Sequence, residues 1–148
     1  DVYGAVDKGY IDAFEKLKES FGENVKYSGQ VPFSESVAVL KSYYALLFPT
    51  FWDGEGFPGS ILDAYASAIP IIASDWNFNR ELVSHMKTGL IYPEGEIQEL
   101  YDAVKWAVEH RDEMNSMRKS CAEEYQQYKP EAVLQVIEAK LRNLWLKR

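Results

Sequence analysis

The sequence is poor in cysteine, in basic residues and in long apolar runs. Its only cysteine, Cys121, excludes an internal disulfide and a zinc site built from several cysteines. No apolar run reaches the roughly 18 residues of a membrane-spanning helix, and we expect no signal peptide. Lys and Arg total 16 against 23 Asp and Glu, and the net charge of -7 makes nucleic acid an unfavourable partner. We therefore expect a cytoplasmic protein.

The chain contains enough apolar residues for a globular domain. Hydrophobic residues make up 47% and aromatic residues 14% of its 148 positions, so we expect residues 1–148 to form a single domain. Short apolar runs alternate with segments of helical period, which predicts a Rossmann-like three-layer α/β/α fold with a parallel sheet of about five strands, ending in helices. The predicted strands are DVYG, NVKYSGQV, ALLFPT, IPIIAS and LIYP.

Cap and turn residues set the predicted bounds of the helices. The first helix should end at Gly22, and the second should begin with Ser34 as its cap. Pro130 suits the first turn of the last of about three closing helices. The apolar face of the first helix would contain Tyr10, Phe14, Leu17 and Phe21. An apolar stripe on the last helix is expected to pack on the sheet, and it contains Val133, Leu134, Ile137, Leu141 and Leu144.

The segment FWDGEGFPG follows the apolar run ALLFPT, which we expect to be covered on both faces. It would therefore lie at the carboxyl end of a parallel strand, where such sheets bind ligands. Gly54, Gly56 and Gly59 permit close backbone approach and positive φ. The helix after Pro58 presents free amides to an anion, while Glu55 can accept hydrogen bonds from ligand hydroxyls. These features predict a ligand with a phosphate part and a polyol part.

A second acidic residue follows the first at a spacing that allows both to face one pocket. Asp63 lies eight positions after Glu55 and about one turn into the predicted helix, so it could bind hydroxyls such as those of a ribose. The spacing alone leaves another interpretation open. Asp63 could merely complement the helix dipole, with Glu55 a solvated loop residue.

The stretch GEGFPGSILDAYASAIPIIASDW resembles the signature of family 4 of the retaining glycosyltransferases, known as glycosyl transferases group 1. That signature contains two Glu residues with seven residues between them, then a helix of small residues and a strand. Glu55 matches the first acid, and Asp63 stands where the second usually is. The resemblance extends from DVYG to TGLIYP and implies the nucleotide-sugar-binding, C-terminal half of a GT-B fold.

The resemblance implies a role for each residue of the loop. Glu55 would be the catalytic-site residue that contacts the donor sugar hydroxyls, and Asp63 would hold the ribose through a longer or water-mediated contact. The donor is a nucleotide diphosphate sugar, with no cofactor and no essential metal. The other implied donor contacts are Gly54, Gly56, Phe57, Pro58 and Gly59 in the loop, and Gly29, Gln30 and Val31, whose backbone would read the base.

The sequence departs from the family pattern at its beginning. Family members begin this domain with an additional strand and with a loop whose Arg and Lys neutralise the diphosphate. Neither feature precedes DVYG here, and the acceptor-binding N-terminal domain is also missing. We therefore expect the isolated chain to turn over no donor and to bind it with a dissociation constant of about 1 mM. The acceptor domain would be its partner, and the terminal helix of GT-B proteins reaches back to that domain. A homodimer through an exposed sheet or helix surface is a further expectation. The full-length protein could act at the inner face of the membrane in polysaccharide or glycolipid synthesis.

Two other classes compete with this interpretation. A non-catalytic carbohydrate-binding domain could use Phe51, Trp52 and Phe57 as stacking platforms. A flavodoxin-like regulatory module would need an acidic pair after its first strand, whereas the sequence has only Asp7 there and surrounds Asp53 with glycines.

The two histidines and the residues after the fourth predicted strand carry less specific signals. His85 has no partner at metal-ligand spacing, and His110 closes a helix where a cation suits the dipole, so we expect structural roles for both. Trp76 and Asn77, which follow the fourth predicted strand, could line the pocket or simply pack.

Overall fold

The computed structural model describes residues 1–145 and divides the chain into two compact units. The first unit is Asp1–Ser36, and the second begins at Val37. Each unit is described by itself below.

The first unit contains a 3₁₀-helix, Lys8–Tyr10, and α1, Ile11–Lys18. The prediction of two strands here was wrong, because their segments form only an isolated parallel bridge between Val2 and Tyr27. Val2 N donates to the Lys26 carbonyl at 2.7 Å, and Ser28 N donates to the Val2 carbonyl at 2.9 Å. Both segments are short, polar and glycine-containing, so the parallel ladder starts in the predicted direction without extending into strands.

The first helix ends earlier than predicted. Its C-cap is Glu19 instead of Gly22, so Phe21 lies beyond it. Phe14 uses the predicted apolar face, because its ring packs edge-on against Tyr27 at 4.8 Å and Phe21 at 6.4 Å. Tyr10 and Leu17 are exposed.

The second unit alternates strands and helices after α2. The second helix begins at Ser36, whose hydroxyl donates to the Phe33 carbonyl, so the predicted Ser34 cap was wrong. The elements are α2 Ser36–Leu40, β1 Leu46–Phe48, α3 Gly59–Ala66, β2 Ile71–Ser74, α4 Asn79–Leu82, β3 Gly89–Tyr92, α5 Ile97–Glu109, α6 Arg111–Glu124, a 3₁₀-helix Tyr125–Tyr128 and α7 Pro130–Trp145.

The predicted α/β fold with a parallel sheet is confirmed, although the described sheet has three strands instead of about five. Their order is β1-β2-β3, with Leu46 opposite Ile71 and Ile71 opposite Gly89. All four residues of β2 are buried. The expectation that β1 is covered on both faces was wrong, because β1 pairs only with β2 in this sheet and Leu47 is 50% exposed.

Helices cover both faces of this sheet. Successive β2 residues point to opposite faces, so Ile71 packs with Ile61 of α3 and Cys121 of α6, whereas Ile72 packs with Ala107 of α5 and residues of α6. The thiol of Cys121 is fully buried and donates to the Thr88 carbonyl at 3.3 Å. The three layers of the predicted architecture are therefore present in this unit.

The three closing helices were predicted correctly, and Pro130 is the first residue of α7. The expected packing of the α7 stripe on the sheet was wrong, because α7 has no buried residue. The sheet faces are already covered by the core residues of α3, α5 and α6. Within residues 1–145, no helix is both long and apolar enough to span a membrane. The exposed stripe contains Val133, Leu134, Ile137, Leu141 and Leu144.

Candidate functional site

The glycine-rich loop joins β1 to α3 at the carboxyl end of the sheet. Helix α3 begins at Gly59, and its N-cap is Pro58, which makes no side-chain cap. The amides at the start of α3 can therefore serve an anion, and the helix dipole adds a partial positive charge at the same point.

Glu55 is held within this loop at both its backbone and its side chain. Its amide donates to the Trp52 carbonyl at 3.0 Å. Its carboxylate Oε2 accepts a hydrogen bond from the Thr50 hydroxyl at 3.4 Å. Glu55 is half-buried, and these two contacts fix its position in the loop that leads into α3.

The loop glycines serve different purposes. A Cβ at position 54 would lie 2.5 Å from Cζ2 of Trp52, so Gly54 makes room for the indole ring. Gly56 and Gly59 have open space around a Cβ, which fits a surface that a ligand can approach. None of the three uses the positive φ that glycine permits.

A second loop, after β2, holds the first loop in place. Trp76 Nε1 donates to the Trp52 carbonyl at 3.0 Å, which gives Trp76 a packing role at the loop. The Ser74 hydroxyl donates to the Thr50 carbonyl, and Asn79 Nδ2 donates to the Ser74 carbonyl at 3.0 Å. Asn77 has φ of 45° and is exposed, so it forms the turn between these contacts.

The remaining predicted loop residues lie on α3 or before it. Phe57 is 55% exposed, and its ring packs against Tyr128 at 5.6 Å. Pro58 is buried and Gly59 is exposed. Asp63 is the fifth residue of α3, which agrees with its predicted position about one turn into the helix. Its side chain is half-buried.

Two cavities adjoin this loop on the side of Thr50. One has a volume of about 360 Å³ and is lined by residues from the ends of all three strands, among them Thr50, Ser74 and Tyr92. The other, of about 410 Å³, is lined by Pro49–Asp53. The sequence analysis missed Thr50 and Ser74 because a single hydroxyl near a strand end carries no pattern of its own.

The residues predicted to read the base belong to the other unit. Gly29 has φ of 73°, and its carbonyl accepts a hydrogen bond from Gly4 N at 2.9 Å. Gln30 is exposed and Val31 half-buried.

One cation follows β2, but a carboxylate already neutralises it. Arg80 Nε donates to Asp75 Oδ1 at 2.9 Å, and Arg80 Nη2 contacts Asp75 Oδ2. The hydrogen bond from Arg80, and then its charge, lower the pKa of Asp75.

Both histidines make structural contacts. His85 Nδ1 accepts a hydrogen bond from Ile91 N at 3.0 Å, and His110 stacks on Trp106 with ring centres 4.3 Å apart. Among residues 1–145, no group of three His, Cys, Asp or Glu side chains could hold a metal ion.

Residues 3–125 match the family model described as glycosyl transferases group 1. The chain belongs to this family. Among curated relatives, it is 29% identical over 105 residues to the D-rhamnosyltransferase WbpZ of Pseudomonas aeruginosa, covering 70% of this chain and 28% of that protein. It is 30% identical over 101 residues to the amylovoran biosynthesis glycosyltransferase AmsK of Erwinia amylovora, covering 62% of this chain and 25% of AmsK. This glycosyl transferases group 1 chain therefore spans about a quarter of the length of these relatives.

Solved structures agree with the family in fold. HepE from Anabaena, in complex with UDP, superposes with a TM-score of 0.81 and 20% identity over 95% of this chain and 40% of HepE. Sucrose-phosphate synthase from Thermosynechococcus elongatus gives a TM-score of 0.79 and 19% identity over 99% of this chain and 38% of that enzyme. The group 1 chain therefore has the fold of the C-terminal domain of a GT-B glycosyltransferase.

Proposed function

We propose that this chain is the donor-binding domain of a retaining, family 4 glycosyltransferase, which transfers a sugar from a nucleotide diphosphate sugar to an acceptor hydroxyl. The observation that carries this proposal is the placement of Glu55. Its carboxylate is hydrogen-bonded to Thr50 in the loop at the carboxyl end of β1, and this loop leads into a helix that starts without a side-chain cap. A hydroxyl-binding carboxylate beside an anion site suits a sugar joined to a diphosphate.

Each part of the donor has a place in this proposal. Glu55 accepts hydrogen bonds from the sugar hydroxyls, and the start of α3 at Gly59 receives the diphosphate. Asp63 holds the ribose, and the segment Gly29–Val31 reads the base. Solved structures of HepE contain UDP, UDP with glucose, or UDP-glucose, which supports a UDP-sugar as the donor class.

The reaction needs more than this domain. As the glycosidic bond breaks, negative charge gathers on the leaving diphosphate, and helix amides stabilise it without a metal in our proposal. In our proposal, the cations that neutralise the diphosphate and the acceptor-binding surface are supplied by another part of a longer protein. We therefore expect the isolated chain to be inactive. The exposed stripe of α7 is the surface that we assign to contact with the acceptor domain.

The setting of the reaction is proposed from the relatives. AmsK takes part in amylovoran biosynthesis and WbpZ is a rhamnosyltransferase, by their names. We place this protein in polysaccharide or glycolipid synthesis at the cytoplasmic side of the membrane. A homodimer through the edge of β1 is a further proposal, and a monomeric mass in light scattering at high concentration would count against it.

The proposal is tested by titrating the chain with UDP, GDP and their glucose or mannose conjugates while recording backbone amide resonances. We expect shifts at residues 54–63 and 29–31 for one nucleotide, and weaker shifts in Glu55→Ala and Asp63→Ala. Shifts in both variants that equal those of the wild type would contradict the assigned roles.

A second function has a specific observation in its favour. Phe51 is 74% and Trp52 67% exposed beside the cavities, as in a carbohydrate-binding surface that stacks sugars on aromatic rings. Free sugars that shift the resonances of these two residues, with nucleotides silent, would favour this alternative.

A further inference from the structure

We infer that Thr50 is the positioning residue that orients the Glu55 carboxylate for the donor sugar, and that Ser74 and Asn79 fix Thr50. The inference rests on the proposed role of Glu55 in sugar binding. It assigns a function to three polar residues that the sequence pattern did not single out.

Buried polar residues hold the backbone of Thr50 in place. Asn79 and Ser74 are each only 3% exposed, and buried polar groups are stable when they are hydrogen-bonded. Asn79 Nδ2 donates to the Ser74 carbonyl at 3.0 Å, and the Ser74 hydroxyl donates to the Thr50 carbonyl. These bonds connect the first residue of α4 to the last residue of β2 and then to the backbone after β1. The backbone of Thr50 is therefore fixed by buried groups.

The side chain of Thr50 is fixed as well. Its Oγ1 accepts a hydrogen bond from Trp52 N at 3.3 Å and donates to Glu55 Oε2 at 3.4 Å. A hydroxyl has one hydrogen to donate, and the Trp52 amide cannot accept it, so that hydrogen is directed to the carboxylate. Trp52 is itself held, because its carbonyl accepts from Trp76 Nε1 and from Glu55 N.

This arrangement orders the carboxylate before any ligand arrives. A free Glu side chain would lose rotamer entropy on binding, and a bond to Oε2 removes part of that loss in advance. Oε1 of Glu55 has no hydrogen bond within residues 1–145, so it is available to ligand hydroxyls. Thr50 thus acts through Glu55 and needs no contact with the sugar.

The experiment compares Thr50→Val, which has nearly the same shape without the hydroxyl, with Thr50→Ser, which keeps the hydroxyl. The dissociation constants for UDP and for UDP-glucose are measured by amide titration of the full chain, together with Glu55→Gln as a reference. The ratio of the two constants isolates the contribution of the sugar. A merely structural role of Thr50 would change both constants equally.

We expect Thr50→Val to lower the ratio of the UDP to the UDP-glucose dissociation constant by about three- to tenfold, the net contribution of one ordinary hydrogen bond, with UDP affinity nearly unchanged. Thr50→Ser should keep the wild-type ratio. Side-chain couplings of Glu55 should show more rotamer averaging in Thr50→Val. If Thr50→Val does not fold, Thr50→Ala is measured in the same way.

The outcomes separate the inference from the proposed function. If Glu55→Gln lowers the ratio and Thr50→Val does not, Thr50 is not a positioning residue and the function of Glu55 stands. If the wild-type ratio is one, or Glu55→Gln leaves it unchanged, the sugar-binding role of Glu55 is wrong and the inference falls with it.

Discussion

The indole ring of Trp52 lies over Gly54, so closely that a Cβ at position 54 would come 2.5 Å from Cζ2 of the ring. The same residue is 67% exposed and accepts the Trp76 Nε1 hydrogen bond at its carbonyl. The backbone of Trp52 is therefore fixed while its ring has solvent on the other side.

Replacing Gly54 with Ala should displace this ring without unfolding the protein. Because the ring is at the exposed end of a side chain, it can move into solvent, and we expect a change in the free energy of unfolding below about 1 kcal/mol. The indole NH resonance of Trp52 should shift strongly. Gly56→Ala is the matched control, since a Cβ there meets open space. Equal indole shifts in both variants would mean that the ring does not occupy the space over Gly54.

Tyr65 supplies a second prediction, in the core. Its fully buried hydroxyl donates to the Leu82 carbonyl at 2.6 Å and lies 2.9 Å from Thr88 Oγ1. Tyr65→Phe leaves both groups short of a partner, so we expect a loss of about 1–3 kcal/mol in urea unfolding. The exposed Tyr101 on α5 provides the control, because Tyr101→Phe should cost almost nothing. Equal stability of the two variants would show that Tyr65 makes no net contribution through its hydroxyl.

The parts of the fold predicted from sequence are those whose pattern has one interpretation. The run IPIIAS forms the fully buried β2, as an apolar run of strand length between two helices favours a parallel strand covered on both faces. DVYG and NVKYSGQV were less constrained, since their polar residues gain little from extending the bridge at Val2 and Tyr27.

The candidate site was predicted as a loop but not as a hydrogen-bonded structure. Glu55 and Asp63 could be placed from the spacing of the signature and the start of the helix. The role of Thr50 depends on Ser74 and Asn79, which reach it only through the packing of β1, β2 and α4. A hydroxyl or an amide in the sequence does not indicate which distant carbonyl it will meet.

Alkaline pH should destabilise the fold through buried acids. Burial raises the pKa of the Cys121 thiol from 9.0 to about 12 and also raises the pKa of Tyr65. The unfolded chain then loses these protons at a lower pH than the folded chain. The stabilisation is complete below about pH 9 and is lost above it, by at most about 1.4 kcal/mol per pH unit for each group.

The alkaline effect is measured as urea unfolding at about pH 8 and about pH 10.5. Cys121→Ala removes the thiol from both states, so its stability should decline less steeply over this interval even though it starts lower. A slope identical to that of the wild type would exclude Cys121 as a contributor.

The exposed stripe of α7 allows a matched comparison of two leucines. Leu141 is 55% exposed, whereas Leu82 is 9% exposed and belongs to the core. We expect Leu82→Ala to cost about 2–5 kcal/mol and Leu141→Ala about 0.5 kcal/mol or less. Urea unfolding of both variants measures this difference. A large loss in Leu141→Ala at low protein concentration would mean that α7 packs on the unit itself.

Substitutions of Asp63 test how the ribose is held in the proposed complex with the donor. Asp63 stands in α3 where the family signature usually has Glu, and its side chain is shorter by one methylene. If the shorter carboxylate reaches the ribose only at long range or through water, Asp63→Glu should tighten UDP binding several-fold, on the order of one hydrogen bond. The change should affect UDP and UDP-glucose equally, because the ribose is common to both, and Asp63→Asn should weaken both. Amide titration with the two ligands measures this. Weaker UDP binding by Asp63→Glu, in a variant that folds normally, would instead mean that the pocket is built for the shorter acid and that Asp63 already contacts the ribose directly.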